Sequence, residues 1–219
     1  MDPKEVVSRF IVDKLKEYKL IGLGTGKTVK KLIEVLSEEG LLKEKMFVAS
    51  SIDTELEISK REGIVITLYS GLRPQIYIDS FDFVTSDKIM IKGGGAALLR
   101  EKMLYTFSKE KVFVGEESKL KDLKEYSVPV EVVPVGVSYV ISALKEKGYE
   151  TKIREGNGKI GPIISDNGNI ILDVIVKREK LCDFEKLVKE IPAIIESGIF
   201  CKKDYEIYLA NENGRISIL

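Results

Sequence analysis

Asp79, Asp82, Lys92 and Glu101 fall within one 23-residue stretch of a 219-residue chain that has no histidine. Between the lysine and the glutamate runs Gly93-Gly94-Gly95-Ala96-Ala97, three glycines read as leading straight into a helix. Glycine lets the main chain approach a ligand with no Cβ in the way, and a helix start presents unpaired N–H groups at the positive end of its dipole. Such a loop, beside a lysine and a carboxylate, suits a phosphorylated substrate that must lose a proton. Upstream, Ile76-Tyr77-Ile78-Asp79 reads as a strand ending on an acid, with Asp82 three positions later.

At 3.6 residues per turn, Glu101 shares its helix stripe with Ala97, Leu98, Leu104 and Tyr105, while Leu99 and Met103 line the opposite side. A carboxylate on an apolar stripe either pairs with a cation, here Lys92 or Arg100, or has its pKa raised into the range a general base near neutral pH needs. Both readings of Glu101 stand on the residues alone.

A second glycine loop, Gly22-Leu23-Gly24-Thr25-Gly26-Lys27-Thr28, follows an apolar strand. It ends like a nucleotide-binding P-loop, but the G-x-x-x-x-G-K-[ST] spacing needs glycine at Ile21, and a G-x-G-x-x-G pattern needs it at Lys27. A one-residue error changes which N–H groups converge on a phosphate, so an ATPase or GTPase is disfavoured. A tight turn without ligand is the plain alternative. It loses ground to the second glycine-rich, lysine-bearing loop in the same chain.

The elements that must position these groups alternate. A helix is expected over 3–18, a strand at Leu20–Leu23, a helix from Lys27 to Ser37, and a strand at Met46–Ala49. Asp53 is read as capping a helix that ends at Gly63, with strands at Ile64–Leu68, Gln75–Asp79 and Val112–Val114. This order argues for an α/β, doubly wound (Rossmann-like), mostly parallel sheet, whose ligands bind beyond the carboxyl ends of the strands, where Gly24–Thr28, Ser50-Ser51, Asp79 and Lys119 fall. After Tyr126 the texture changes. Prolines bracket Val130–Val133, Tyr139–Lys147 and Phe184–Ile191 read as helices, and Ile170–Val176 and Ile199–Lys202 read as strands. Asp166-Asn167-Gly168-Asn169 is read as a tight turn. This βαβ-βαβ-like order suits a second, smaller α+β domain.

Composition narrows the classes. Lys plus Arg equals Asp plus Glu at 35 each, so no global basic field recruits nucleic acid or anionic membrane. Apolar runs are short and the N-terminal residues carry no signal-peptide pattern, which reads as soluble and cytoplasmic. With two cysteines, Cys182 at a helix start and Cys201 in a strand, and no histidine, the usual zinc sets and Ser-His-Asp or Cys-His nucleophiles are excluded. Proton transfer falls to carboxylates, lysines or tyrosines. The 32% charged content resembles a thermophile's balance.

Gly22–Thr28, Ser50-Ser51, Lys92–Lys102, Val128–Pro134 and Ser165–Asp173 together resemble, in order and over nearly the whole chain, the ribose-5-phosphate isomerase A family. The resemblance implies interconversion of ribose 5-phosphate and ribulose 5-phosphate without metal or organic cofactor, by a homodimer or homotetramer that binds a small sugar phosphate. It implies Glu101 as general base, Asp79 and Lys92 as the groups that handle the substrate oxygens, and Asp82 as the acid linked to ring opening. Gly24, Thr25, Gly26, Lys27, Thr28, Ser50, Ser51, Gly93, Gly94 and Lys119 fall where the family contacts sugar and phosphate, and Lys4 matches a further basic contact. It also implies that residues from about 204 return to the first domain, giving 1–127 with 204–219 as the catalytic domain and 128–203 as the small one. Where the family usually has Asp-Gly-Ala-Asp-Glu, this chain has Asp79-Ser80-Phe81-Asp82-Phe83, and Lys27 stands where a serine is common. The bulkier segment motivates a rival, a sugar-phosphate-binding sensor that kept the pocket and lost turnover.

Overall fold

The computed structural model describes residues 2–158 and 160–219. Its elements run α1 (Pro3–Leu15), β1 (Leu20–Leu23), α2 (Lys27–Glu38), β2 (Met46–Ala49), α3 (Ile52–Lys60), β3 (Ile64–Val65), β4 (Ile76–Asp79), β5 (Phe83–Val84), β6 (Met90–Ile91) and α4 (Leu98–Phe107). They continue with β7 (Glu110–Glu116), β8 (Glu125–Val132), α5 (Val137–Glu146), β9 (Thr151–Ile153), β10 (Ile170–Lys177), α6 (Leu181–Leu187), β11 (Ile194–Ser197), β12 (Ile199–Phe200), β13 (Glu206–Ala210) and β14 (Ile216–Ile218). The chain divides into two compact units, Met1–Phe81 with Arg100–Leu120 and Asp204–Leu219, and Asp82–Leu99 with Lys121–Lys203.

The first unit is built on a seven-stranded sheet in the order β14-β13-β7-β4-β1-β2-β3, parallel except for β14. The strand order reverses between β1 and β4, the switch point at which doubly wound sheets open a crevice at the strands' carboxyl ends. Ile21, Leu23, Phe47, Ile78, Val112 and Val114 from the strands pack against Ile11, Leu32 and Leu36 from the helices. Asp2 caps α1 by accepting from Lys4 N at 3.0 Å, with Pro3 in the first turn. The helix stops at Leu15, short of Tyr18, because the carbonyls of Lys16 and Tyr18 turn to the buried Lys45 ammonium at 2.8 and 2.7 Å. The strand expected over Ile64–Leu68 is only two residues long, since Thr67 caps a tight turn over Leu68–Ser70.

The second unit holds an antiparallel sheet in the order β11-β8-β10-β9 and a small sheet β12-β6-β5. Its core gathers Val128, Val130, Leu172 and Val174 with Val140, Leu144 and Phe184 from α5 and α6. Segment 82–99, assigned from sequence to the first domain together with residues 121–127, belongs here. β5 and β6 pair with each other, β6 pairs with β12, and Ile89 and Ile91 join this core. Cys182 and Cys201 form a disulfide that ties the start of α6 to the residue after β12.

Candidate active site

In the first unit the site grows from the ends of β1 and β4. Gly24 continues β1, its N–H bonded to Ile78 O at 2.9 Å, and a Cβ there would lie 1.9 Å from Asp79 Cγ. Only glycine lets the loop pass over the aspartate. Asp79 is fully buried; Oδ1 accepts from Ser80 N at 2.7 Å and Thr25 N at 3.3 Å, and Oδ2 accepts a short hydrogen bond from the Tyr77 hydroxyl. Tyr77 precedes Asp79 by two residues, so strand alternation puts both on one face. Burial holds the Tyr77 phenol well above its ordinary pKa, and the charges of Asp79 and Glu101 push it the same way. A phenol that stays protonated is a dependable donor to Asp79.

A run of hydroxyls ties this loop to the next strand end. Thr25 Oγ1 lies 2.7 Å from Ser50 Oγ and donates to Ser51 Oγ at 2.8 Å; Ser51 donates to Thr54 Oγ1 at 3.1 Å, and Thr54 to Gly24 O at 2.8 Å. The Ser50 hydroxyl also bonds the Tyr77 phenol, which joins this run to Asp79. Ser51, not Asp53, caps α3, accepting from Thr54 N at 3.1 Å. Ser50 and Ser51 are thus buried braces under the loop. At its front, Gly26 begins α2 with φ +112° and no side-chain cap, Lys27 is exposed at the first turn, and Thr28 is buried. An uncapped start on a 12-residue helix, next to a lysine, favours an anion.

Glu101 sits in the first turn of α4 with 4% of its surface exposed, on the stripe with Ala97, Leu98, Leu104 and Tyr105, all buried, while Met103 faces outward. Its charge reaches the Tyr77 phenol, so Asp79, Tyr77 and Glu101 act on one buried point. Lys119 donates to Phe81 O at 2.7 Å and lies 5.8 Å from the centre of its ring. Phe81 is buried against Gly115, where a Cβ would come within 2.7 Å of the ring. Lys4 pairs with Glu116 at 2.8 Å.

The remaining expected residues lie in the second unit. Asp82 Oδ2 accepts from Gly94 N at 2.7 Å, which gives this acid a loop-fixing contact. Gly93 has φ +99° and packs on Leu98 and Pro129. The glycines do not run straight into the helix. Ala96 adopts φ +59° in a turn closed by Ala96 N to Gly93 O at 3.0 Å, and α4 begins at Leu98. Lys92 is 2% exposed, its N–H bonded to Gly198 O at 2.8 Å and its ammonium 6.0 Å from the Phe200 ring centre. Phe83 is half-buried, edge-on to Tyr126 at 5.9 Å. Sequence reasoning missed Tyr77 and Thr54, although the Tyr-x-Asp alternation and the Ser-x-x-Thr spacing were available signals. Among the described residues no group of His, Cys, Asp or Glu is arranged to hold a metal, and no helix is long and apolar enough to cross a membrane.

The family model for ribose 5-phosphate isomerase A (phosphoriboisomerase A) matches residues 46–214. The ribose-5-phosphate isomerase A of Treponema denticola is 37% identical over 216 residues, 91% of this chain and 88% of the relative. That of Archaeoglobus fulgidus is 32% identical over 213 residues, 94% and 93% of the two chains. Among solved structures, ribose 5-phosphate isomerase A from Methanocaldococcus jannaschii has a TM-score of 0.90 at 33% identity, covering 100% of this chain and 98% of the other. A D-ribose-5-phosphate isomerase in complex with phospho-erythronic acid has a TM-score of 0.92 at 28% identity, covering 100% and 97%.

Proposed function

The chain belongs to the ribose 5-phosphate isomerase A family, and from that premise we propose how its residues interconvert D-ribose 5-phosphate and D-ribulose 5-phosphate. Glu101 takes the C2 proton of the open-chain aldose, leaving an enediolate, and returns it to C1. Asp79 moves the hydroxyl proton from O2 to O1, so the sugar gains and loses no atoms. Lys92 and the N–H groups of its glycine loop stabilise the developing oxyanion, where fixed donors are worth several kcal/mol. Asp82 assists ring opening. The uncapped start of α2 with Lys27 and Thr28 receives the phosphate, Gly93, Gly94 and Lys119 meet the sugar, and Thr25, Ser50 and Ser51 fix the first loop. The enzyme is read as a cytoplasmic homo-oligomer.

The observation that carries these roles is Glu101 buried in the first turn of α4, near enough for its charge to act on the Tyr77 phenol that donates to Asp79. The sensor reading rested on Phe81 and Phe83 narrowing the entrance, and Phe81 instead packs inward on Gly115. The test is a coupled assay of ribulose 5-phosphate formation by the unmodified protein and by Glu101→Gln, an isosteric change. We expect kcat to fall by at least ~10² with KM little changed. A variant that turns over at a near-normal rate would remove Glu101 from the role.

A further inference from the structure

Arg154 follows β9 and spends its whole guanidinium inside the second unit. Nε donates to Asp173 Oδ2 at 2.9 Å and Nη2 makes a shorter bond to Oδ1, a two-point grip on a carboxylate from β10. The remaining nitrogen, Nη1, donates to Gly93 O at 2.7 Å and to Gly94 O at 3.2 Å. One side chain therefore holds two successive carbonyls of the loop between Lys92 and α4.

This contact matters because of what three glycines cost. Such a run has the widest backbone freedom of any sequence and is ordered only by contacts to its main chain. In a trans peptide the N–H points opposite to the C=O. Fixing Gly93 O sets the Gly93–Gly94 peptide, whose N–H reaches Asp82 Oδ2 at 2.7 Å. Fixing Gly94 O sets the Gly94–Gly95 peptide, whose N–H belongs to exposed Gly95 and faces away from the arginine. The carbonyl side of the loop is tied to a cation; Asp82 holds the Gly94 amide, and the exposed Gly95 amide is the one turned toward an incoming anion. Asp173 holds the fork in place and offsets the buried charge.

We infer that Arg154, oriented by Asp173, is a positioning residue for the isomerisation, fixing the glycine loop whose Gly95 amide meets the oxyanion. The inference rests on the isomerase reading above. It assigns a role to side chains 61 and 80 residues along the chain from Gly93 that do not touch the reacting atoms. Lysine cannot replace the fork, since one ammonium cannot span the carboxylate and two carbonyls.

The experiment measures steady-state isomerisation by the full-length protein and by Arg154→Ala, Arg154→Lys and Asp173→Asn, with melting temperatures alongside. We expect kcat to fall ~10- to 100-fold in both arginine variants and less in Asp173→Asn, with KM changed by no more than about 3-fold. Millimolar guanidinium ion should partly restore kcat in Arg154→Ala and leave Asp173→Asn unchanged. Affinity for phospho-erythronic acid, whose carboxylate resembles the oxyanion, should fall more than affinity for inorganic phosphate. If Arg154→Ala fails to fold, Arg154→Lys and Asp173→Asn carry the same comparison. Folded arginine variants with wild-type kcat, or variants that only melt earlier, overturn the inference while leaving the isomerase reading intact. An unmodified protein without isomerase activity overturns both.

Discussion

At the scale of single residues, the chemistry rests on side chains whose positions are set by immediate neighbours. Tyr77 is the clearest case, since its buried hydroxyl has Asp79 as acceptor and feels Glu101 as well. Tyr77→Phe removes the hydrogen bond to the Asp79 carboxylate together with the contact to the Ser50 hydroxyl, so stability should drop by roughly 1.5 to 3 kcal/mol, the range for bonds to charged groups. We expect kcat to fall about 10-fold while KM stays within a factor of about 2, because Asp79 would keep its two backbone donors and lose its orientation. Unaltered turnover would show that the phenol only fills space. The four side chains proposed to react stand out in the sequence because they cluster within one segment and the glycines mark it. Tyr77 was half-legible, lying two residues from an acid on the same strand. Arg154 was not legible. Its partners are the carbonyls of glycines about 60 residues away, and no residue type announces a bond to main chain.

Elements were legible where hydrophobic periodicity decides them and less so where side-chain hydrogen bonds do. Leu20–Leu23 and Met46–Ala49 appear with the bounds read from the sequence. The end of α1 moved because Lys45 draws the carbonyls of Lys16 and Tyr18 out of helical register, and the start of α3 moved because Ser51 rather than Asp53 faces Thr54 N. Segment 82–99 changed unit because β6 pairs with β12, a partner more than 100 residues away. The turn after β4 carries the bulkier Ser80-Phe81-Asp82-Phe83 segment, and packing accounts for its first ring. Phe81 is buried on Gly115 in β7, and its carbonyl receives Lys119. Replacing a buried phenylalanine with alanine costs about 3–5 kcal/mol, so Phe81→Ala should lower the melting temperature markedly. Turnover by the folded fraction, assayed well below that temperature, should not exceed the wild-type value. A many-fold gain would mean that the ring obstructs the site and that the sensor reading had merit.

For the molecule as a whole, the absence of histidine sets how stability responds to pH. No side chain with an ordinary pKa titrates between about 5 and 8, so melting temperature should be flat across that window. Asp87 lies below the usual carboxylate range through its bond to Thr85 and to Arg178, and Glu206 through Tyr208 and Lys14. Depressed carboxylates stabilise the fold above their unfolded pKa near 4, and that stability is lost as pH falls through the folded value. On the alkaline side the sign is opposite. Tyr18 is raised to about 12 by burial and by its bond to Glu110, and Tyr208 to about 12 by its bond to Glu206 and by burial. Above the unfolded tyrosine pKa near 10 the unfolded chain releases phenol protons that the folded one retains, so stability falls as pH rises toward 12. A series of melting curves from pH 3 to 11.5 should therefore show a plateau with two falling limbs. Phenylalanine at positions 18 and 208, introduced together, should make the alkaline limb shallower, with the buried Tyr77 still contributing to it, and should weaken the acid limb as well, because Glu206 loses its bond from Tyr208. A step in melting temperature between pH 6 and 8 would contradict the argument, because the chain has no imidazole to produce one.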